Sequence, residues 1–226
     1  MKMLLKPVLL AGLSLAATAP ILATPAVAQV NGIATSSPEA ALVQASALQS
    51  GYQAINTANA NQRQQINTLR TEINNLQLSL NTNGDREVDQ AEWDANPGVT
   101  GQIEAKEQQL QTLLAPIAIA EYYVVEQLLM RYGEAQSQVI TSNGIQIMVE
   151  PAALQYSVDG VDVTQKIVAA LNTLVPTVST TPPANWQPRR QTVETHQAIQ
   201  QIIVGIAQRQ AAQAAQQQTQ QQPSGR

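Results

Sequence analysis

Cysteine is absent from this chain of 226 residues. That excludes disulfides, thiol redox chemistry and cysteine-ligated metals, so packing or assembly must supply the stability. Phenylalanine is absent too, and two Trp and five Tyr make up the whole aromatic complement. Large cores draw heavily on aromatics, so a large globular enzyme fits this composition poorly. Charge is scarce: 12 basic residues stand against 16 acidic ones, a net of −4. Such a balance leaves no basic footprint for nucleic acid or for an anionic membrane surface. No glycine-rich phosphate loop, zinc-ligand spacing or serine-hydrolase elbow is present. Gln, Asn and Ala fill the space instead, which suits helices that face water and one another.

The N-terminus has the pattern of an export signal. Lys2 and Lys6 give a positive start, an apolar run follows from Val8 to about Leu22, and Ala26-Val27-Ala28 is a small-x-small cleavage pattern. Gln29 is then the first mature residue. Without Lys2 and Lys6, ten basic residues face sixteen acidic ones, a net of −6. No later stretch reads as long and apolar enough to cross a bilayer. The expectation is an exported chain without stable membrane insertion.

Two long helical segments dominate the middle. The first opens at Ser36, Ser37 and Pro38, a serine cap followed by proline in the first turn and Glu39 just after it. Ile66, Leu69, Ile73, Leu76 and Leu80 recur at three- and four-residue steps, a heptad-like seam. Leu42, Leu48 and Tyr52 are weaker anchors, and residues 53–65 are polar nearly all round. The second segment carries Ile103, Leu110, Leu113, Ile117, Ala120 and Val124 at the same spacing. A loop over 81–98 joins the two, so they fold back antiparallel, each arm on the order of 60 Å long at 1.5 Å per residue. Pro116 removes a backbone donor mid-helix and predicts a kink there.

A small β-containing body follows. Residues 145–149 have strand character, Pro151 interrupts, and residues 154–158 alternate as a second strand. Residues 29–36 can add one more short strand. Asp162 and Thr164 can cap a helix whose apolar face is Ile167, Val168, Leu171 and Leu174. So little sheet cannot bury much surface alone, so the body completes its core by assembling with other copies. Residues 176–191 read as a proline-rich linker. Ile199, Ile202, Ile203 and Ile206 then mark a helical patch within about 190–215, and 208–226 is Gln/Ala low-complexity sequence, disordered or loosely helical.

Candidate chemistry is sparse. Taking Asn81 as position one of a calcium loop, Asn83, Asp85, Glu87, Asp89 and Glu92 fall at positions three, five, seven, nine and twelve, with apolar Val88 at eight. Against this, Asn81 replaces the usual Asp and Arg86 replaces the glycine of the sharp turn. A solvated acidic turn with the look of a decayed calcium loop is the plainer reading, and no cofactor is expected. His196 beside Glu194 reads as a solvent-facing helix residue, because no nucleophile or pocket is indicated around it. Arg189-Arg190 reads as a solvated pair in a linker, and Glu121-Tyr122-Tyr123 as helix packing near the body.

Three features in this order resemble the OmpH/Skp family of periplasmic chaperones for outer-membrane proteins, over about residues 29–176. They are Asn31-Gly32-Ile33-Ala34 after the cleavage site, the Gln-rich helical segments, and 154-LQYSVDGVDVTQKIVAALNTLVP-176. The segment 181-TPPANWQP-188 is similar to the tails of some members. The resemblance implies a homotrimer in which each chain adds strands to a shared barrel and extends one helical tentacle. It also implies a periplasmic location and unfolded outer-membrane β-barrel proteins as partners, held without ATP. Family members are basic whereas this chain is acidic, which removes electrostatic attraction to anionic surfaces.

The fold expected is therefore α+β and mostly α. A signal occupies 1–28, the body 29–37 with 143–176, a helical hairpin 38–142, and a tail 177–226. The function expected is a non-enzymatic holdase with Leu78, Ile119 and Tyr123 as candidate client contacts. Two rivals stand beside it: a coiled spacer of the cell envelope, and a calcium-responsive binding module using the tip loop.

Overall fold

A computed structural model describes residues 32–85 and 87–221. The stretch 1–28, expected to be an export signal, and Arg86 lie outside them. The described residues are mostly α with one two-stranded sheet. In order it forms β1 (Ile33–Thr35), α1 (Pro38–Gln44), α2 (Ser46–Ala58), α3 (Ala60–Leu80), α4 (Gln90–Ala95), α5 (Pro97–Asn143), β2 (Ile147–Val149), α6 (Thr164–Leu174) and α7 (Arg190–Gln221).

The first helical segment is not one helix but three. Ser37 caps α1 as the serine-proline pattern predicts, its Oγ accepting from the Ala40 N–H at 3.2 Å. Ala45 then turns extended, at φ −65° and ψ 128°, and is fully buried. The restart at Ser46 is supported from far along the chain, where Asn172 Oδ1 accepts both the Ser46 N–H at 2.9 Å and its hydroxyl at 3.0 Å. The second interruption is Asn59, whose side-chain amide donates to the Ile55 carbonyl at 2.8 Å. A short amide that bonds its own preceding turn competes with helix propagation, and the backbone there leaves the helical region. Periodicity alone could not reveal either break: apolar spacing carries on across Ala45, and Asn59 lies in the polar stretch 53–65, which has no apolar pattern to interrupt.

α5 is the spine. It runs 47 residues and passes Pro116 without a break in the helix. Its end is set by Gly144, at φ 62°, where the Ile145 N–H returns to the Ile140 carbonyl at 3.0 Å. That left-handed cap needs glycine's freedom. α2, α3, α6 and α7 all pack on α5. One expectation is corrected here: by length and composition alone α5 is apolar enough to cross a membrane. In this fold its apolar residues Val124, Val125 and Leu128 are fully buried against the other helices.

The body holds less sheet than expected. β1 and β2 pair in parallel, Ile33 with Ile147 and Thr35 with Val149. Residues 154–158 do not form the second strand. Pro151 starts a 3₁₀ turn, and Tyr156 and Val158 lie exposed. What flanks β1 on its other side is a single bridge between Thr35 and Asp162, with the Val163 N–H donating to the Thr35 carbonyl at 2.9 Å. α6 forms where the pattern predicts, with Ile167, Val168 and Leu171 buried, but Val163 is its N-cap; Asp162, one residue earlier, accepts the Thr164 N–H on Oδ1 at 2.8 Å. Thr164 is not a cap either; it is the first residue of the helix, and its hydroxyl accepts from the Ser37 N–H at 3.2 Å.

Residues 176–189 are not a free linker but a strap laid along α5. The Ser179 N–H donates to Gln127 Oε1 at 2.9 Å, and Gln127 Nε2 donates back to the Ser179 carbonyl at 2.8 Å. Trp186 meets Tyr123 edge-on at 5.1 Å. The low-complexity tail is also helical where described, to Gln221, although every side chain from Ala207 to Gln217 is exposed.

Gly51 lets the strap come close. A Cβ there would sit 2.9 Å from a Val178 methyl and 3.1 Å from one of Val124. The substitution Gly51→Leu should therefore destabilise by about 1–3 kcal/mol through overpacking. Urea unfolding measures the loss, and limited proteolysis should show new cleavage in the strap.

Candidate functional site

The structure separates the candidate residues into two places, the tip of the helical arm and its root. At the tip, α3 and α5 enclose a small core of Ile73, Leu80 and Ile103 with Trp93 packed against it. The loop between them is closed by protein donors. Glu92 forms a capping box with Asp89, accepting the Asp89 N–H while its own N–H bonds Asp89 Oδ1 at 2.8 Å. Its other oxygen accepts from the Thr82 N–H at 2.6 Å, the Thr82 hydroxyl at 2.9 Å and the Asn83 N–H at 3.0 Å. Glu92 is 8% exposed.

The remaining members of the calcium-like spacing follow one another as side-chain turns. Asn81 Oδ1 accepts from the Gly84 N–H, Asn83 Oδ1 from the Asp85 N–H, and Asp85 Oδ1 from the Glu87 N–H. The Asn81 amide donates to the Glu87 carbonyl at 3.1 Å and faces Asp85 Oδ1 at 3.4 Å. An amide donor thus occupies the centre of the loop, where an Asp at the same position would offer only acceptors. Among the described residues, no three His, Asp or Glu side chains gather into a set able to hold a metal ion.

Leu78 is 62% exposed and lines an open cleft at the tip with Val88, Trp93, Asn74, Gln77 and Asn81. The other two candidate contacts are elsewhere. Ile119 and Tyr123 are half-buried on α5 near the root, with Tyr123 against the strap's Trp186. The three therefore form no single surface.

At the root, two carboxylates of α5 organise the C-terminal segment. Glu126 is buried, accepts from Arg189 Nε at 2.6 Å, and takes a hydrogen bond from the buried Thr192 hydroxyl. Arg189, though 58% exposed, is thus tied to a buried carboxylate, whereas Arg190 pairs on the surface with Glu194. Glu121 accepts from Arg63 of α3 at 3.1 Å through one oxygen and meets His196 Nε2 at 3.1 Å through the other. His196 is 8% exposed, which corrects the solvent-facing reading. Its ring is held edge-on to Tyr122 at 4.7 Å and tilted to Tyr52 at 6.4 Å. Burial pushes the Tyr52 phenol far above its ordinary value, and the charge of Glu121 adds to the shift. Sequence reasoning missed this cluster because its members lie on α2, α3, α5 and α7. The signal available was the spacing of Thr192, His196 and Ile199, one polar-apolar face at helical steps.

No family model matches the sequence, and no curated protein matches it. A solved structure of a Caulobacter crescentus protein assigned as an OmpH-like outer-membrane chaperone is similar at 18% identity. It covers 66% of this chain and 89% of that chain, with a TM-score of 0.40.

The Glu92 tie makes the tip pH-dependent. Partial desolvation raises the Glu92 carboxyl, but the bonds from Thr82, Asn83 and Asp89 outweigh it, so the net shift is downward. A depressed folded-state value contributes stability above the unfolded value, near 4.3. That contribution is lost as pH falls through the lower folded value. In a Trp186→Phe background, Trp93 emission should move to the red only in strong acid, and Glu92→Gln should show the loosened signal already at neutral pH.

Proposed function

We propose that this chain is an exported, ATP-independent holdase of the OmpH/Skp kind, working in the periplasm on unfolded outer-membrane β-barrel proteins. The observation that carries the reading is an unfinished body at the root of a long polar arm. β1 and β2 have three residues each, and their paired Ile33 and Ile147 are 42% and 54% exposed. Two short strands with an uncovered apolar face are marginal in water, so other copies of the chain complete the sheet as a homotrimer. Beyond the root, α3 and α5 touch along one thin seam and present Gln, Asn and Thr outward. Such arms form a hairpin tentacle that surrounds a client without a deep apolar surface to trap it. The order of strand, helical arm, strand and capped helix is also what the sequence resemblance to this family implies.

The mechanism is physical rather than chemical. Sparse apolar points, Leu78 at the tip with Ile119 and Tyr123 nearer the root, make weak contacts whose number gives avidity while each permits release. Confinement between arms keeps unpaired client strands from pairing edge to edge. Neither metal nor nucleotide has a part in this scheme, and no enzymatic activity is proposed.

The test is dilution of a urea-unfolded outer-membrane β-barrel protein into buffer without ATP while light scattering is followed. The purified chain should suppress aggregation and saturate near one trimer per client, with Leu78→Asn weakening the effect a few-fold. Unchanged scattering at several-fold excess would sink the holdase reading and favour an envelope spacer.

A further inference from the structure

We infer that α7 is a splint that fixes the angle between the distal and root halves of the helical arm, and that Glu121 is the joint through which it acts. This concerns the arm's conformation and stands whether or not clients bind.

Both strands of the arm are weakened at one level. Two contacts set the antiparallel register: Gly51 lies against Val124, and Gln62 Nε2 donates to the Leu113 carbonyl. Between them the register places Asn59 opposite Pro116. Asn59 is the non-helical junction of α2 and α3, and Pro116 deprives α5 of a backbone donor. A helix pair with a break in one member and a proline opposite it has lost the backbone bonds that resist bending. The Gln62 bond to Leu113 acts in the same place, supplying a donor to a carbonyl of the turn that Pro116 perturbs. Distal to this level, apolar packing is a single seam of Ile66, Leu69 and Ile73.

A third helix passes alongside. α7 is anchored by Arg189 and Thr192 on Glu126, then by His196 on Glu121, so it runs along α5 toward Pro116. Five residues of α5 separate Glu121 from Pro116, about 7.5 Å of rise. The same advance along α7 reaches the stretch between Ile199, fully buried, and Ile203, packed against the same core. α7 therefore spans the weakened level.

Glu121 joins the parts. One oxygen holds Arg63, four residues beyond the break in α3, and the other holds His196 of α7. The Glu121 side chain is 16% exposed and that of His196 10%, so water competes little for the bond between them, whereas Arg63 is 40% exposed and its pair is more open to solvent. The distal arm is thus tied to the root through a carboxylate that α7 helps to orient.

The chain has no cysteine, so pairs of spin labels can be placed directly. Asn67→Cys with Gln138→Cys spans the level, and Gln53→Cys with Gln138→Cys lies wholly on the root side; all three sites are exposed. Labelled full-length chain is diluted into unlabelled chain, and pulsed dipolar distances are measured. The expected result is narrow distributions for both pairs, with Ile199→Ser and Glu121→Gln each broadening the spanning pair at least two-fold and leaving the root pair narrow. An unchanged spanning distribution in both variants overturns the inference. Broadening in Glu121→Gln alone also overturns it, because the Arg63 pair then stiffens the arm without α7. Broadening of the root pair makes α7 part of the root fold rather than a splint, and overturns it likewise.

Discussion

Two carboxylates on the flank of α5, Glu126 buried and Glu121 partly buried, constrain the strap and the first half of α7. A charged group taken out of water is costly unless paired, and breaking such a pair leaves the partner stranded. Glu126 finds Arg189 and Thr192, and Glu121 finds Arg63 and His196. Three of these four partners lie beyond residue 176, so the strap and the first half of α7 must return to α5. The net worth of each pair is modest, and Arg189 remains largely exposed. What the pairs give is register. They place Trp186 on Tyr123, Val178 on Gly51 and Ile199 in the core, and apolar burial then supplies most of the free energy.

The arm has a graded construction. Its root is a multi-helix core in which Leu42, Leu48, Ile55, Val124 and Leu128 are inaccessible. Its middle is a polar helix pair with a single seam and one surface ion pair, Lys106 with Glu72. Its tip is a small closed unit, with Glu92 binding the start of the loop to α4 and Trp93 covering Leu80 and Ile103. Stability concentrated at the two ends leaves the middle the most compliant part, which is where a long arm has most to gain from lateral support.

Much of this was legible in the residues. Of the two heptad seams, Ile66, Leu69, Ile73 and Leu80 and then Ile103, Ile117 and Val124 are buried, while Leu76, Leu110, Leu113 and Ala120 pack partly buried against them. Ser37-Pro38 does mark a helix start, and α6 forms where its apolar face predicts, although Val163 rather than Asp162 is its cap. The tip spacing from Asn81 to Glu92 marks a real, closely bonded loop, although its bonds run to backbone amides. Illegible were the break at Ala45, across which apolar spacing continues, and the break at Asn59, inside a polar stretch with no apolar pattern to interrupt. The strand pattern of 154–158 misled because alternation signals a strand only where a partner edge exists, and here Thr35 meets Asp162 instead.

What the sequence determined by itself was local: which stretches are helical, where caps and turns fall, and that a chain without cysteine or phenylalanine must rely on aliphatic seams. Those follow from interactions within a few residues, which composition and spacing report directly. Only the tertiary structure decided the fate of residues 176–221. Proline and glutamine content there describes a segment with little drive to fold alone, and that remains true of it in isolation. The order it acquires comes from groups 50 to 75 residues away, Gln127, Glu126 and Glu121, whose need for partners no local pattern displays.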